Sequence, residues 1–331
     1  MPDFEELKRR YMVQGTVSSL GGASPPSVPT FQNCHVTHHI NGPDYFPALK
    51  AKINTLAGGA GQFIYLMGWW LDPGFSLDGA GGGTTVVDLL KAKSRAGVDV
   101  RVLGWVMAPQ VLQNPALASL GFAADILNLN AETARFIQAL RAEPTLADKA
   151  VLNILSHPAG SVHIKGGIVG DGTDAAMFTG GLDLQQGRWQ PFWHDVEAQV
   201  RGPAVQALFD AFRDMWGEIK RRPVAHLTIT PPSGTAVTLD SHSTGMPDLP
   251  ARSLGPATPS KMHVQSGLTL PQFNIATVSS LAGSGNQLPS NSPLSYAPSG
   301  RFDIKTIWNK GINGAQTYIY AEDQAFTSAE I

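Results

Sequence analysis

Three short runs in the first half of the chain, FIYLMGWW (63–70), VDVRVLGWVM (98–107) and AVLNIL (150–155), are apolar at nearly every position. A strand of that kind is buried on both faces and has to be covered from both sides. The segments between the runs have helical period. Phe46, Leu49, Ile53 and Leu56 recur at helix spacing before the first run. VVDLLKAKSRAG follows the glycine-rich loop GAGGGTT and closes on Gly97, a residue suited to a helix C-cap. AETARFIQALRA lies between the second and third runs. Alternation of this kind predicts an α/β layered fold, a mixed sheet flanked by helices.

The next stretch, SVHIKGGIVGDGTDAAMFTGGLDLQQGRW (161–189), reads as a hairpin, with SVHIKGGIV outgoing, Asp171-Gly172 in the turn and AAMFTGG returning. Side chains alternate faces along a strand, so His163 and Lys165 are expected on one face, with Val162 and Ile164 on the other. HDVEAQVRG predicts a further strand. Val205, Leu208, Phe209, Phe212, Met215, Trp216 and Ile219 mark one face of a long helix. From Pro223 to about Ser260 the composition turns to Pro, Ser, Thr and Gly without periodicity, which reads as a linker or long surface excursion. KMHVQSGLTL, FDIKTIWNKGING and TYIYAEDQAF then predict strand, helix and strand. Helix, small residues and GQFIYLMGWW near the start resemble helix, small residues and AQTYIYAEDQ near the end. The second half thus reads as a restart of the first. The expected division is a first repeat over 1–222, a linker over 223–260 and the beginning of a second repeat over 261–331, truncated before the twin of His163.

A net charge of −2 and only 15% charged residues leave no basic stripe for nucleic acid. No Lys/Arg cluster exceeds the short KRRP at 220–223. The single cysteine, Cys34, permits no internal disulfide. The amino terminus has acids and no apolar core of a Sec-type signal, and FIYLMGWWL is too short to span a bilayer. These features predict a cytoplasmic or peripheral membrane protein, with non-Sec export left open.

A histidine and a lysine two residues apart suit attack on a phosphodiester. A neutral imidazole can form a covalent phosphohistidine. An ammonium can hold the non-bridging oxygens. A second histidine is then needed to protonate the leaving alkoxide and later activate water. The context of the pair is specific. His163-Ile164-Lys165, Gly180-Gly181-Leu182-Asp183-Leu184, Gly187-Arg188-Trp189 and Trp193-His194-Asp195-Val196 follow one another in an order that resembles the phospholipase D superfamily, in particular its eukaryotic-like branch. GWWLDPGFSL and GVDVRVLGWV upstream, and KMHVQSGLTLP and YIYAEDQAF downstream, extend the resemblance.

The resemblance implies a phospholipase D-like fold of two repeats. It also implies metal-independent, cofactor-free hydrolysis of phospholipid head groups at a membrane surface, or their transfer to an alcohol. His163 matches the nucleophile, Lys165 the phosphate clamp, and Asp195 the carboxylate that orients the motif histidine. Asp183 matches a second polar ligand near the phosphate, and Gly180 and Gly181 would let the backbone approach the pocket closely. Either Asp171 or Asp174 fills the place of the motif's acid, although the spacing after Lys165 is longer than usual. Trp69 is a candidate lining residue for an acyl or head-group pocket. No second H-x-K occurs in the sequence. The other half of the site is therefore expected from a missing C-terminal half or from another subunit. Two other readings remain: a nucleic-acid phosphodiesterase of the same superfamily, or an inactive fragment that binds lipid or a partner. Neither GAGGGTT nor GGAGQF is expected to hold a nucleotide, the pair His38-His39 lacks metal-ligand spacing, and Glu322, Asp323 and Gln324 are weak candidates for the pocket.

Overall fold

The computed structural model describes residues 4–13, 28–79, 82–107, 123–155, 161–190, 193–232, 234–270, 294–298 and 300–320. The three apolar runs become strands β2 (Phe63–Gly68), β3 (Asp99–Trp105) and β4 (Ala150–Asn153), and they pair in parallel. With β1 (Thr30–Ile40), β5 (Gly166–Gly170), β6 (Ala175–Gly180), β7 (Val196–Arg201) and β10 (Met262–Gln265) they form one eight-stranded mixed sheet, ordered β10-β1-β7-β6-β5-β2-β3-β4. The pairs from β10 to β2 are antiparallel.

Alternation along the strands divides the core in two. Ile64, Leu66, Val100, Val102, Val169 and Phe178 face helices α2 (Asn41–Asn54), α3 (Val86–Arg95) and α4 (Ala123–Arg141). Phe63, Tyr65, Met67, Leu103, Ile168, Met177 and Val200 face α5 (Val205–Arg221). The result is a three-layer helix–sheet–helix arrangement. Local signals behave as expected: Thr85 caps α3 by accepting from Asp88 N at 3.1 Å, and Gly97 closes it at φ +93°.

The Pro/Ser-rich stretch after α5 is more than a linker. It contains the hairpin of β8 (His226–Ile229) and β9 (Val237–Asp240), whose Leu227, Ile229 and Val237 are buried in the α2–α4 core. Farther on, Arg252 donates to Tyr65 Oη at 2.8 Å and to Asp99 at 2.5 Å. Three apolar anchors spaced irregularly produce no period, so the composition concealed a packed segment. A second difference concerns Thr317–Tyr320, the twin of β2 in sequence. It forms no strand, and Tyr318 and Tyr320 are 81% and 79% exposed. No helix among the described residues is long and apolar enough to cross a membrane.

Candidate active site

Strand direction brings four backbone ends to one edge of the sheet. β2 and β6 end there, while β5 and β7, antiparallel to them, begin there. Trp69 and Trp70 leave β2, His163 and Lys165 lead into β5, Gly180 and Gly181 leave β6, and Asp195 leads into β7. The motif pieces, scattered over more than a hundred residues, therefore meet at this edge. An isolated bridge between Leu71 and Leu184, with Asp72 N donating to Leu184 O at 3.0 Å, ties the loop after β6 to the loop after β2.

The pair His163/Lys165 differs from the expected strand. Residues 161–165 are irregular, and β5 starts at Gly166. The two side chains nevertheless converge, on Trp69. The His163 ring meets the Trp69 ring edge-on at 4.8 Å between centroids, and Lys165 Nζ lies 4.9 Å from the centroid of that indole. Trp69 is itself stacked on the buried Trp105 at 5.9 Å. Trp69 and Trp105 thus form an aromatic shelf against which His163 and Lys165 lie. His163 is exposed, with the Trp69 ring packed against it. Desolvation by its surroundings, together with the cations of Lys165 and Arg188, pulls its pKa down to about 4, so the ring is neutral at pH 7.

Lys165 is 5% exposed and Asp183 1%. Their closest approach, Nζ to Oδ1, is 3.6 Å, an ion-pair contact longer than a hydrogen bond. Asp183 is fixed by Trp70 N, which donates to Oδ1 at 3.0 Å, and by Arg188 Nη2, which reaches Oδ2 at 3.4 Å. Burial pushes Asp183 up and Lys165 down, and their mutual attraction offsets this only in part. A cavity of about 10 Å³, the least that holds one water, lies beneath Lys165 and Asp183 against Tyr45, Leu66 and Leu182.

Gly180 and Gly181 serve a purpose other than close approach to a ligand. A Cβ on Gly180 would meet Glu197 Cδ at 2.5 Å, and one on Gly181 would meet both Asp195 carboxylate oxygens at 2.2–2.3 Å. The space is taken by the protein's own carboxylates. Glu197 is a site residue that sequence reasoning missed. It sits opposite Gly180 in the β6–β7 register and is 1% exposed. Oε1 accepts from Leu182 N at 2.6 Å, while Oε2 is buried with no hydrogen-bond partner. Burial raises its pKa to about 8, with Asp195 and Asp183 adding to the rise, so it carries a proton at neutral pH. The only sequence sign was a charged residue at an inward position of a strand.

Asp195 accepts from Val196 N at 2.9 Å, and its charge acts on Lys165, Arg188 and Glu197; Lys165 and Arg188 are the charges that act on the His163 ring. His194 binds Asn41 Oδ1 at 3.1 Å. Asp171 is not in the site. It occupies the turn at the opposite end of β5, roughly 17 Å away at about 3.3 Å per strand residue. There its Oδ1 accepts from Thr173 N, Thr173 Oγ1 and Asp174 N at 2.8–2.9 Å. Asp174, the alternative, lies at the same end and pairs with Arg201 at 2.6 Å. Both acids lie past the far end of β5, and one residue less after Lys165, about 3.3 Å of strand, would still leave them there. His39, one of the sequence's paired histidines, is buried against Gln199 at 3.1 Å. Glu322, Asp323 and Gln324 lie outside the described residues. A groove of about 790 Å³ between α1 (Phe4–Tyr11) and α6 (Asp303–Gly314) is lined by Tyr11, Trp308 and Tyr318 among others, and the described residues that line it include no histidine or carboxylate.

No family model matches the chain, and no curated protein matches it. Among solved structures it is similar to Nuc from Salmonella typhimurium, described as a phospholipase D family member, with TM-score 0.37 and 12% identity over 56% of this chain and 95% of that one. It is similar to NucT from Helicobacter pylori, with TM-score 0.34 and 10% identity over 56% of this chain and 96% of that one. It is also similar to phosphatidylserine synthase from Haemophilus influenzae, with TM-score 0.31 and 12% identity over 62% of this chain and 46% of that one.

Proposed function

We propose that the sheet edge carrying His163 is one half of a phospholipase D-type phosphodiesterase centre. The observation that carries this reading is the neutral His163 ring, held on the Trp69 shelf with two cations, Lys165 and Arg188, acting on it. A neutral imidazole has the lone pair that attack on phosphorus requires, and a positive surrounding favours the anionic phosphodiester. An imidazole nitrogen of His163 bonds to phosphorus as the bond to the leaving alcohol breaks. The alkoxide takes a proton from a second histidine. Water, losing its proton to that histidine, then breaks the phosphohistidine and leaves a phosphomonoester.

No second H-x-K occurs in the sequence, and in this reading the second histidine is that of a further H-x-K, on another copy of the chain or on a second repeat. Asp195, at the mouth of the site, would orient it. We favour a phospholipid substrate, since the shelf beside His163 is apolar and the chain has no basic stripe. Vesicles of phosphatidylcholine incubated with the protein should release phosphatidic acid, and His163→Asn should abolish the release. Wild-type turnover in His163→Asn overturns the assignment. Cleavage of plasmid DNA without release from vesicles replaces the lipid reading with a nuclease. Vesicle binding without product makes the chain a lipid-binding half.

A further inference from the structure

In the chemistry above Arg188 enters only as a cation acting on His163, and the Gly187–Arg188–Trp189 turn that carries it is closely held. Gly187 N donates to Gln185 Oε1 at 2.8 Å. Trp189 packs on Phe46 at 5.0 Å and donates through Nε1 to Ser76 O at 2.9 Å. With Trp189 anchored, Arg188 is turned into the site, 7% exposed. Its guanidinium carbon lies 3.5 Å from the centroid of the Trp193 ring and 5.9 Å from that of Trp70. Contacts of this kind hold a guanidinium by its faces and leave its in-plane N–H groups for other partners. Arg188 Nη2 reaches Asp183 at 3.4 Å, but Nε is buried with no hydrogen-bond partner. Lys165 Nζ, 3.6 Å from the other oxygen of the same carboxylate, is likewise buried without one. Charge-assisted bonds are normally about 2.7–2.9 Å long. One carboxylate thus spans two cations and saturates neither, and a buried bare donor is expensive unless a ligand completes it.

We propose that Arg188 is a second phosphate-binding residue, donating from Nε to one non-bridging oxygen while Lys165 takes another, with Asp183 as the spacer that sets the two cations apart. Lysine alone is a point charge; the guanidinium fork adds orientation. The inference rests on the phosphodiesterase reading only for the identity of the phosphate's owner. Inorganic phosphate is therefore the probe, titrated into the 331-residue protein while the Arg188 Nε–H and His163 ring resonances are followed by NMR. Both should shift and saturate together. Arg188→Gln should bind phosphate about tenfold more weakly, and its His163 should titrate above the wild-type value, because a cation that lowers it is gone. An Arg188 Nε–H that never moves, or equal affinity in Arg188→Gln, overturns the proposal. The first of these readouts needs only the wild-type chain, so it decides even if the variant does not fold. If the titration fails while His163→Asn still abolishes turnover, Arg188 loses its role and the phosphodiesterase reading stands. If His163→Asn keeps turnover while phosphate still moves Arg188, the anion site stands without that reading.

Discussion

The β5–β6 hairpin has charged groups at both ends, and the two ends are built on opposite principles. At the turn end, Asp171 accepts three hydrogen bonds and Asp174 pairs with Arg201, so every charge has its partner in a half-exposed setting. At the other end Lys165, Arg188 and Glu197 are buried with donors or acceptors left bare. Saturated charges stabilise a fold, whereas bare buried ones cost it stability and are kept where a ligand or a reaction needs them. The hairpin is thus a strut at one end and a site at the other. Removing Lys165 gives the largest separation of the two. Lys165→Met deletes the proposed phosphate clamp while filling its volume, and turnover should fall by about 10²–10³. Asp183 keeps Arg188, so the urea midpoint should move little. A midpoint that drops as far as for a truncated core residue, with turnover intact, would make the site end a second strut.

Glu197 sharpens the contrast through pH. Its folded pKa of about 8 lies above the ordinary 4.5, so the folded chain holds a proton the unfolded chain has released. That proton stabilises the fold fully below pH 4.5, and its contribution declines as pH rises to about 8, by about 1.4 kcal/mol per pH unit. His163 has the opposite sign: its pKa is depressed to about 4 from 6.5, so its contribution grows from pH 4 to 6.5 and is flat above. The window from 6.5 to 8 therefore belongs to Glu197. Glu197→Gln mimics the protonated form and keeps an acceptor for Leu182 N. Its unfolding free energy should be flatter than wild type across that window, by about 2 kcal/mol in total. Parallel pH profiles for the two proteins would mean that the carboxyl is already ionised and paired.

Periodicity made the central sheet and the four covering helices legible before any coordinates, and motif order pointed to His163, Lys165, Asp183 and Asp195 as one group. Each rests on local patterns that survive packing. What was not legible depended on partners distant in sequence. Ile64-Tyr65 and Ile319-Tyr320 are the same dipeptide after similar helices. The first is fully buried because β3 and β5 pair with it on either side. The second has no strand beside it among the described residues and lies exposed. Strand propensity becomes a strand only when neighbours supply the ladder. Glu197 was hidden for a related reason: nothing in VEAQV says that its inward face meets Gly180 and feels the carboxylates of Asp195 and Asp183. The β8–β9 hairpin was hidden by its composition, since three buried side chains among prolines and serines make no period.

The smallest effect belongs to the turn end, and its value lies in what it leaves alone. Burial opposes ionisation of Asp171, but hydrogen bonds from Asp174 and Thr173, with Lys52 nearby, hold its pKa at about 2. A depressed carboxylate stabilises the fold above its unfolded pKa and loses that contribution as pH falls toward 2. Asp171→Ala removes the acceptor, leaves Gly172 and the register of β5 and β6 in place, and should cost about 1 kcal/mol at pH 7, read as a shift in urea midpoint. The cost should fade as pH falls below 4, where the wild type begins to protonate the same group. Turnover should match wild type at every pH, since the turn lies at the far end of the strand from His163. A loss of turnover beyond that explained by the unfolded fraction would show that the two ends are coupled through β5.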